Sequence, residues 1–196
     1  MGGTDKTRLA LAGRSLLAHV AARIAPQVAA LAVSAPAPRP DLPGLPTLPD
    51  TVPDTVPERP GPLAGILAGL EWAAAAGFAA LLSVPGDTPF LPPDLAARLA
   101  AAATRDTAPG AVAASAGRVH PVVALWPVAA AASIRAALIE HGARRVRDLT
   151  AGFAVVDWPA LPVDPFFNVN TPDDFAEAAR LLAAYPSFKS PSTGSV

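Results

Sequence analysis

Apolar and polar positions along the chain follow two rhythms. Short unbroken apolar runs, at Ala30 to Ala35, Ala79 to Val84, Ala111 to Ala116, Val119 to Trp126 and Phe153 to Trp158, alternate with longer stretches of helical character. A continuous apolar run closed by turn residues predicts a strand buried on both faces, and its alternation with helices predicts a mostly parallel sheet. Helices are predicted from Leu16 to about Ala25 behind a Ser15 cap, from Pro62 to the Gly77 stop, and from Pro92-Pro93-Asp94 to about Ala103. Two more are predicted from Pro127 to Glu140 and from a Thr171 cap, in an approximate capping box with Asp174, to near Tyr185. Gly117-Arg118 joins two of the strands as a tight hairpin, with His120-Pro121 marking an edge or a bulge in the second.

The prolines crowd between Pro36 and Pro62 and include a tandem PDTVPDTV from Pro49 to Val56. Proline cannot donate to a central ladder, so this stretch is a long loop with at most an edge strand near Thr47-Leu48. Residues 186–196, rich in Pro and Ser, are expected to form a disordered tail behind one α/β domain of ordinary size over residues 1–185. The predicted fold class is therefore α/β, a three-layer, mostly parallel Rossmann-like sheet with an antiparallel hairpin portion.

Composition narrows the function classes. The 196 residues carry a formal net charge of -1, which supplies no basic field for nucleic acid or an anionic membrane. Cysteine is absent, which removes disulfides, thiolate nucleophiles and zinc–thiolate sites. The three histidines, His19, His120 and His141, lie far apart with no metal-binding spacing. Leu63 to Val84 holds Glu71 as its single charge and has the length of a membrane span, but central Glu71 and the Gly77 stop favour helix, stop and buried strand. No signal peptide is visible at Asp5, Lys6 and Arg8, so a cytoplasmic location is expected.

Candidate chemistry then falls at turns. Pro85-Gly86 halts the Ala79 to Val84 run and delivers Asp87, the first charge after it, where open parallel sheets bind ligands. That Asp reads as a metal or catalytic ligand or as the opening of the Asp87-Thr88-Pro89 turn. Gly2, Gly3 and Lys6 read as a phosphate-cradling loop or a frayed terminus. Gly65 and Gly69 share a helix face that packs closely on the sheet or opens a groove for a flat ligand. Asn168 and Asn170, read as alternating on a strand end, project to one side, and Arg144, Arg145 and Arg147 on a short helix form a solvated face able to hold an anion.

Six motifs in order carry a family resemblance. They are MGGTDK at Met1 to Lys6, PGPLAG at Pro60 to Gly65, VPGDTPFLPPDL at Val84 to Leu95, HPVVALW at His120 to Trp126, GARRV at Gly142 to Val146 and FFNVNTPDDF at Phe166 to Phe175. Together, over residues 1–184, they resemble molybdenum cofactor guanylyltransferase. The resemblance implies transfer of a guanylate from GTP to the terminal phosphate of molybdopterin, with Mg2+ as cofactor and release of pyrophosphate. It implies that Lys6 contacts the nucleotide phosphates beside Gly2 and Gly3, and that Asp87 holds magnesium. Asp54, with Asp50 as its competitor in the repeat, corresponds to the Asp that recognises guanine. Ser34 stands where the family has an Asn, which hydrogen-bonds over a longer reach. Asn168 and Asn170 match the asparagines near the pterin, and His120, Arg144 and Arg145 are implied contacts to its phosphate. Molybdenum-insertion proteins and molybdoenzymes are the implied protein partners, with no nucleic acid and no membrane. Rival readings are a cytidylyltransferase on the same pterin, another NTP transferase, and a truncated, non-catalytic homologue that binds cofactor or molybdoenzyme.

The family opens with a buried strand and a Gly-rich loop of the form LAGGxSxRMGG, and this chain starts at the Met of that motif. The expectation is that the true start lies upstream, Met1 being an internal methionine. The chain as written is then expected to form a sheet with a central member absent, leaving edges with unpaired N–H and C=O groups.

Overall fold

In the computed structural model, which describes residues 6–52, 61–140, 142 and 145–188, the chain opens with a 3-10 turn at Lys6–Arg8 and a small hairpin. Its strands, β1 (Ala10–Leu11) and β2 (Arg14–Ser15), are joined through Ala12 and Gly13, both at positive φ. Ser15 then caps α1 (Leu16–Ile24), its hydroxyl accepting the Ala18 N–H at 3.1 Å. The Ala30 to Ala35 run yields only β3 (Val33–Ser34), paired in parallel with β4 (Thr47–Leu48). Pro62 opens α2 (Pro62–Ala75), and Gly77 at φ +76 turns the chain into β5 (Ala80–Ser83). Thus the Leu63 to Val84 run is a helix, a stop and a strand, and none of the described helices is long and apolar enough to cross a membrane.

The helix α3 (Leu95–Arg105) begins three residues later than Pro92 because the residues before each proline are held out of the helical region. The hairpin strands β6 (Ala111–Ser115) and β7 (Arg118–Pro127) turn through Ala116-Gly117, one residue earlier than expected, with both at positive φ. Their register shifts between Val112, opposite Ala124, and Ala113, opposite His120. Pro121 sits in this bulge, so a residue without an N–H is accommodated in a strand flanked on both sides. A 3-10 turn at Val128–Ala130 leads into α4 (Ala131–Ile139), followed by α5 (Val146–Leu149), β8 (Ala154–Trp158) and α6 (Pro172–Ala184).

The main sheet has the order β5-β7-β6-β8. Antiparallel β7 lies among three strands of common direction, β6 and β8 pairing in parallel. The sheet is therefore mostly parallel with a hairpin portion. Alternation along β6 splits the core. Ala111 and Ala113 join Val20, Ile24, Leu95 and Leu99 on the α1 and α3 face, whereas Val112 joins Leu67, Trp126 and Leu138 on the α2 and α4 face. A third cluster packs Leu11, Leu16, Phe90, Val163 and Val169 beneath α6. The chain also runs in order past Tyr185: Pro186–Phe188 form a 3-10 turn whose Phe188 packs edge-on against Phe90 and whose carbonyl accepts from Arg23. Residues 186–188 of the expected tail are thus packed on the fold, and residues 189–196 lie outside the described part.

The β3–β4 pair is separate from the main sheet. Between β3 and β5 lies a cleft of about 980 Å³, lined by Ala29 to Ala32 and Ser34 on one side and by Ala79 to Asp87 on the other. Its floor is the small-residue face of α2. A Cβ at Gly69 would meet Leu81 at 3.0 Å, and one at Gly65 would meet the Ser34 hydroxyl at 2.8 Å. β5 is the edge strand of the main sheet and borders this cleft, which explains why it is half-exposed instead of buried on both faces.

Candidate active site at the mouth of the cleft

The site is built where β5 ends. Pro85 has no N–H to extend the ladder, and Gly86 lets the chain pass close to its neighbours: a Cβ there would sit 3.0 Å from Leu17 and 3.2 Å from Thr7. Beyond it, Thr88, Pro89, Phe90 and Leu91 are all buried. Asp87 is thereby held half-buried on the cleft wall, between a backbone that packs inward on either side.

The opposing loop, 164–170, is fastened by four bonds. Asp164 Oδ1 accepts from the Ser115 hydroxyl at 2.8 Å and from the Phe166 N–H at 2.9 Å. The Val169 N–H donates to the Asp87 carbonyl at 3.0 Å, and the Thr88 hydroxyl donates to Asn168 Oδ1 at 2.6 Å. Asn168 and Asn170 are exposed on either side of buried Val169, but the segment is irregular and not a strand end. Its main chain is spent on the Asp87 loop and on the helix cap, where Asp174 Oδ2 accepts from both the Asn170 and Thr171 N–H groups. The Thr171–Asp174 capping box is complete.

His120 belongs to this fastening. Its Nε2 lies 2.8 Å from the Ser115 hydroxyl, whose proton is directed at Asp164, so Nε2 is the donor of the pair. The imidazole packs against the Phe166 ring, tilted by 40° with centroids 4.8 Å apart. Burial holds its pKa below the ordinary value, opposed by the Asp164 carboxylate and assisted by Arg118. Behind Thr7, which lines the cleft, buried Arg39 grips both oxygens of Asp41 at 2.9 Å and donates to the Thr7 hydroxyl at 2.8 Å. Asp41 also accepts from Ser15 at 2.6 Å. Its carboxyl is held well below the usual range, first by the Arg39 bond, against the cost of burial and with help from Ser15.

Of the residues singled out in the sequence, Ser34, Asp87 and Asn168 line one cleft, and Thr7, next to Lys6, lines it with them. His120 reaches it through Ser115 and Asp164, one loop removed. Asn170 and Arg145 are exposed and are not among the lining residues; Arg145 is the residue that precedes α5. Gly2, Gly3, Asp54 and Arg144 lie outside the described residues, as does the side chain of Lys6. The network of Arg39, Asp41, Ser15 and Thr7 was not legible in sequence, nor were the roles of Thr88, Ser115 and Asp164. The one available signal was a buried-type stretch, Thr88 to Leu91, that contains a single hydroxyl.

No group of three His, Asp or Glu side chains that could hold a metal occurs among the described residues. The donor set still fits magnesium, which binds one or two carboxylates and takes its remaining ligands from phosphates and water. Asp87 is the carboxylate on the cleft wall able to serve.

Residues 1–154 match the model of the MobA-like NTP transferase domain. A molybdenum cofactor guanylyltransferase of Bradyrhizobium sp. (strain ORS 278) is 50% identical over 190 residues, covering 93% of this chain and 87% of that protein. One from Rhodopseudomonas palustris (strain BisB5) is 50% identical over 188 residues, covering 92% and 87%. Among solved structures, molybdopterin-guanine dinucleotide biosynthesis protein A from Archaeoglobus fulgidus superposes with a TM-score of 0.63 at 19% identity, covering 93% of each chain. The 2-C-methyl-D-erythritol 4-phosphate cytidylyltransferase of Thermus thermophilus does so with 0.64 at 23% identity, covering 92% of this chain and 95% of that one. These two share its fold. With half of its residues shared with those relatives across most of their length, the chain belongs to the molybdenum cofactor guanylyltransferases, a branch of the MobA-like NTP transferases.

Proposed function

We propose that this nucleotidyltransferase moves the guanylate of GTP onto the terminal phosphate of molybdopterin, giving the guanine dinucleotide form of the cofactor and pyrophosphate. The observation that carries the reading is the placement of Asp87 at the carboxyl end of β5, on the wall of a large cleft shared with Ser34 and Asn168, in a chain half-identical to proteins named for that activity. Attack of one phosphate on another brings like charges together, so the protein's work is to position both and to neutralise charge. Magnesium held by Asp87 would supply charge neutralisation on the phosphate oxygens.

The chain's own residues divide the remaining work. Lys6, with Gly2 and Gly3, receives the triphosphate. Ser34 and Asp54 receive the base, Ser34 from the rim opposite Asp87. Asn168 and Asn170, with Arg144 and Arg145, orient the pterin phosphate. His120 serves it at one remove: burial lowers its pKa, its Nε2–H is given to Ser115, and through Ser115 and Asp164 it steadies the loop that carries the asparagines. Molybdenum-insertion proteins and molybdoenzymes in the cytoplasm are the protein partners that such a product requires.

Base choice is the sharpest test. Purified protein is given molybdopterin, magnesium and either GTP or CTP, and pyrophosphate release is followed. The reading expects release with GTP that depends on molybdopterin. A preference for CTP would assign the cytidylyl reaction instead, and binding of molybdopterin without any release would assign a non-catalytic role.

A further inference from the structure

We propose that Thr88 is a positioning residue: it turns the side-chain amide of Asn168 so that the N–H2 group, and not the oxygen, faces the cleft and donates to a substrate phosphate oxygen. Thr88 is wholly buried in a run whose other members, Pro89, Phe90 and Leu91, are apolar and buried. A hydroxyl in such a place destabilises the fold unless it is bonded. The Thr88 hydroxyl donates to Asn168 Oδ1 at 2.6 Å. The neighbouring backbone is held as well, by the Val169 N–H on the Asp87 carbonyl at 3.0 Å. With the main chain fixed on both loops, the amide has its own torsions left to settle, and the hydroxyl settles them.

The consequence is chemical. An amide whose oxygen is taken by a buried donor presents its two N–H donors on the opposite side. Asn168 is exposed and lines the cleft beside Asp87. The pair therefore divides its labour: a carboxylate that attracts a cation, and next to it a neutral donor that attracts an anion. Had the amide oxygen faced the cleft, Asn168 would have offered the metal a second oxygen and a phosphate oxygen no donor.

The proposal rests on the reading of the cleft as a site for phosphate-bearing substrates. Three variants separate it from a merely structural contact: Thr88→Val removes the hydroxyl at constant shape, Thr88→Ser retains it, and Asn168→Asp retains the oxygen that accepts from Thr88 while replacing the N–H2 donor with a second oxygen. Thr88→Val and Asn168→Asp are each expected to lower kcat/KM for guanylyl transfer about tenfold or more, the scale of a hydrogen bond to a charged group. Thr88→Ser is expected to keep most of the wild-type value. Alongside, the Asn168 side-chain N–H2 resonances of 15N-labelled protein are followed as inorganic pyrophosphate is added. They are expected to shift in wild type and Thr88→Ser and to be unresponsive in Thr88→Val. An active Asn168→Asp variant, or N–H2 resonances indifferent to pyrophosphate in the wild type, would overturn the proposal. If the wild type transfers no guanylate, the proposed function fails, and the resonance titration still decides the orientation of Asn168. Should Thr88→Val not fold, Asn168→Asp at an exposed position and Thr88→Ser carry the test.

Discussion

β3 and β5 face each other across one cleft, yet only β5 is backed by a sheet. Val128 donates its N–H to Ala79, and Pro127 has none to give, so Ala79, Leu81 and Ser83 turn their main-chain groups toward β7 while Ala80 and Leu82 turn theirs toward the cleft. On the other rim, Val33 and Ala35 donate to Pro46 and Leu48 of the loop strand, and Ser34 between them faces the cleft. Behind β5 stands a core of Trp126, Phe153, Leu67, Leu70 and Leu138, whereas the β3–β4 pair is backed mainly by the proline-rich loop and the start of α2. Rigidity and ligand space are thus supplied by different parts of the molecule. Asp87 stands on the boundary, anchored in the rigid part and facing the open one.

Substitutions on the two sides should differ in cost accordingly. The largest stability effect is expected for Trp126→Ala, which empties the centre of the closed half and removes the indole N–H that the Ser83 hydroxyl accepts at 2.9 Å. A loss of about 3 to 5 kcal/mol in denaturant unfolding is expected. Next comes a matched pair of glycines. At Gly110 a Cβ would lie 2.5 Å from the Leu125 carbonyl oxygen and 2.6 Å from the Phe153 ring, so Gly110→Ala is expected to cost about 1 to 3 kcal/mol. At Gly65 the obstacle is the movable Ser34 hydroxyl, and alanine is the better helix former, so Gly65→Ala should stay within about 1 kcal/mol of wild type. Equal costs at the two glycines, measured by chemical denaturation, would erase the distinction between the halves.

A smaller effect is expected from acid. His19 on α1 donates Nε2–H to the Leu11 carbonyl at 2.7 Å and leaves Nδ1 buried without a partner. Burial lowers its pKa against the raising effect of that bond, with Arg14 and Arg23 lowering it further, and His120 is lowered for the same leading reason. The unfolded chain, with histidine pKa values near about 6.5, then takes up protons before the folded one does. Stability contributed by the neutral imidazoles is complete above that value and is lost as pH falls through the lowered folded values. The melting temperature should therefore fall between about pH 6.5 and 5, with a shallower slope in His19→Gln. An unchanged slope would remove His19 from the account.

Much of the closed half was legible in the sequence because its signals are local. The Pro62 and Gly77 brackets of α2, the Ser15 and Thr171 caps and the hairpin through Ala116-Gly117 each depend on residues within a turn of one another. What was misread depends on partners far along the chain. The Ala30 to Ala35 run looks like a full strand, but with the cleft on one side only Val33 and Ser34 find a ladder. Asn168 and Asn170 alternate as in a strand, yet the N–H of Val169 between them goes to the Asp87 carbonyl and that of Asn170 to the Asp174 carboxylate. Arg39 falls in the proline-rich stretch read as a long loop, and its burial with Asp41 and Thr7 is invisible to any local rule. Asp87 stood out because a lone charge directly after an apolar run is itself a local pattern, and Thr88 was hidden beside it because its partner lies eighty positions away.

The central claim is that the boundary between the two halves is a magnesium-dependent guanylyl-transfer site built on Asp87. Pyrophosphate release from GTP, in the presence of molybdopterin and magnesium, tests it most directly when wild type is compared with Asp87→Asn. Loss of turnover on the order of a hundredfold or more is expected in a variant that remains folded; turnover close to wild type would contradict the assignment of the site.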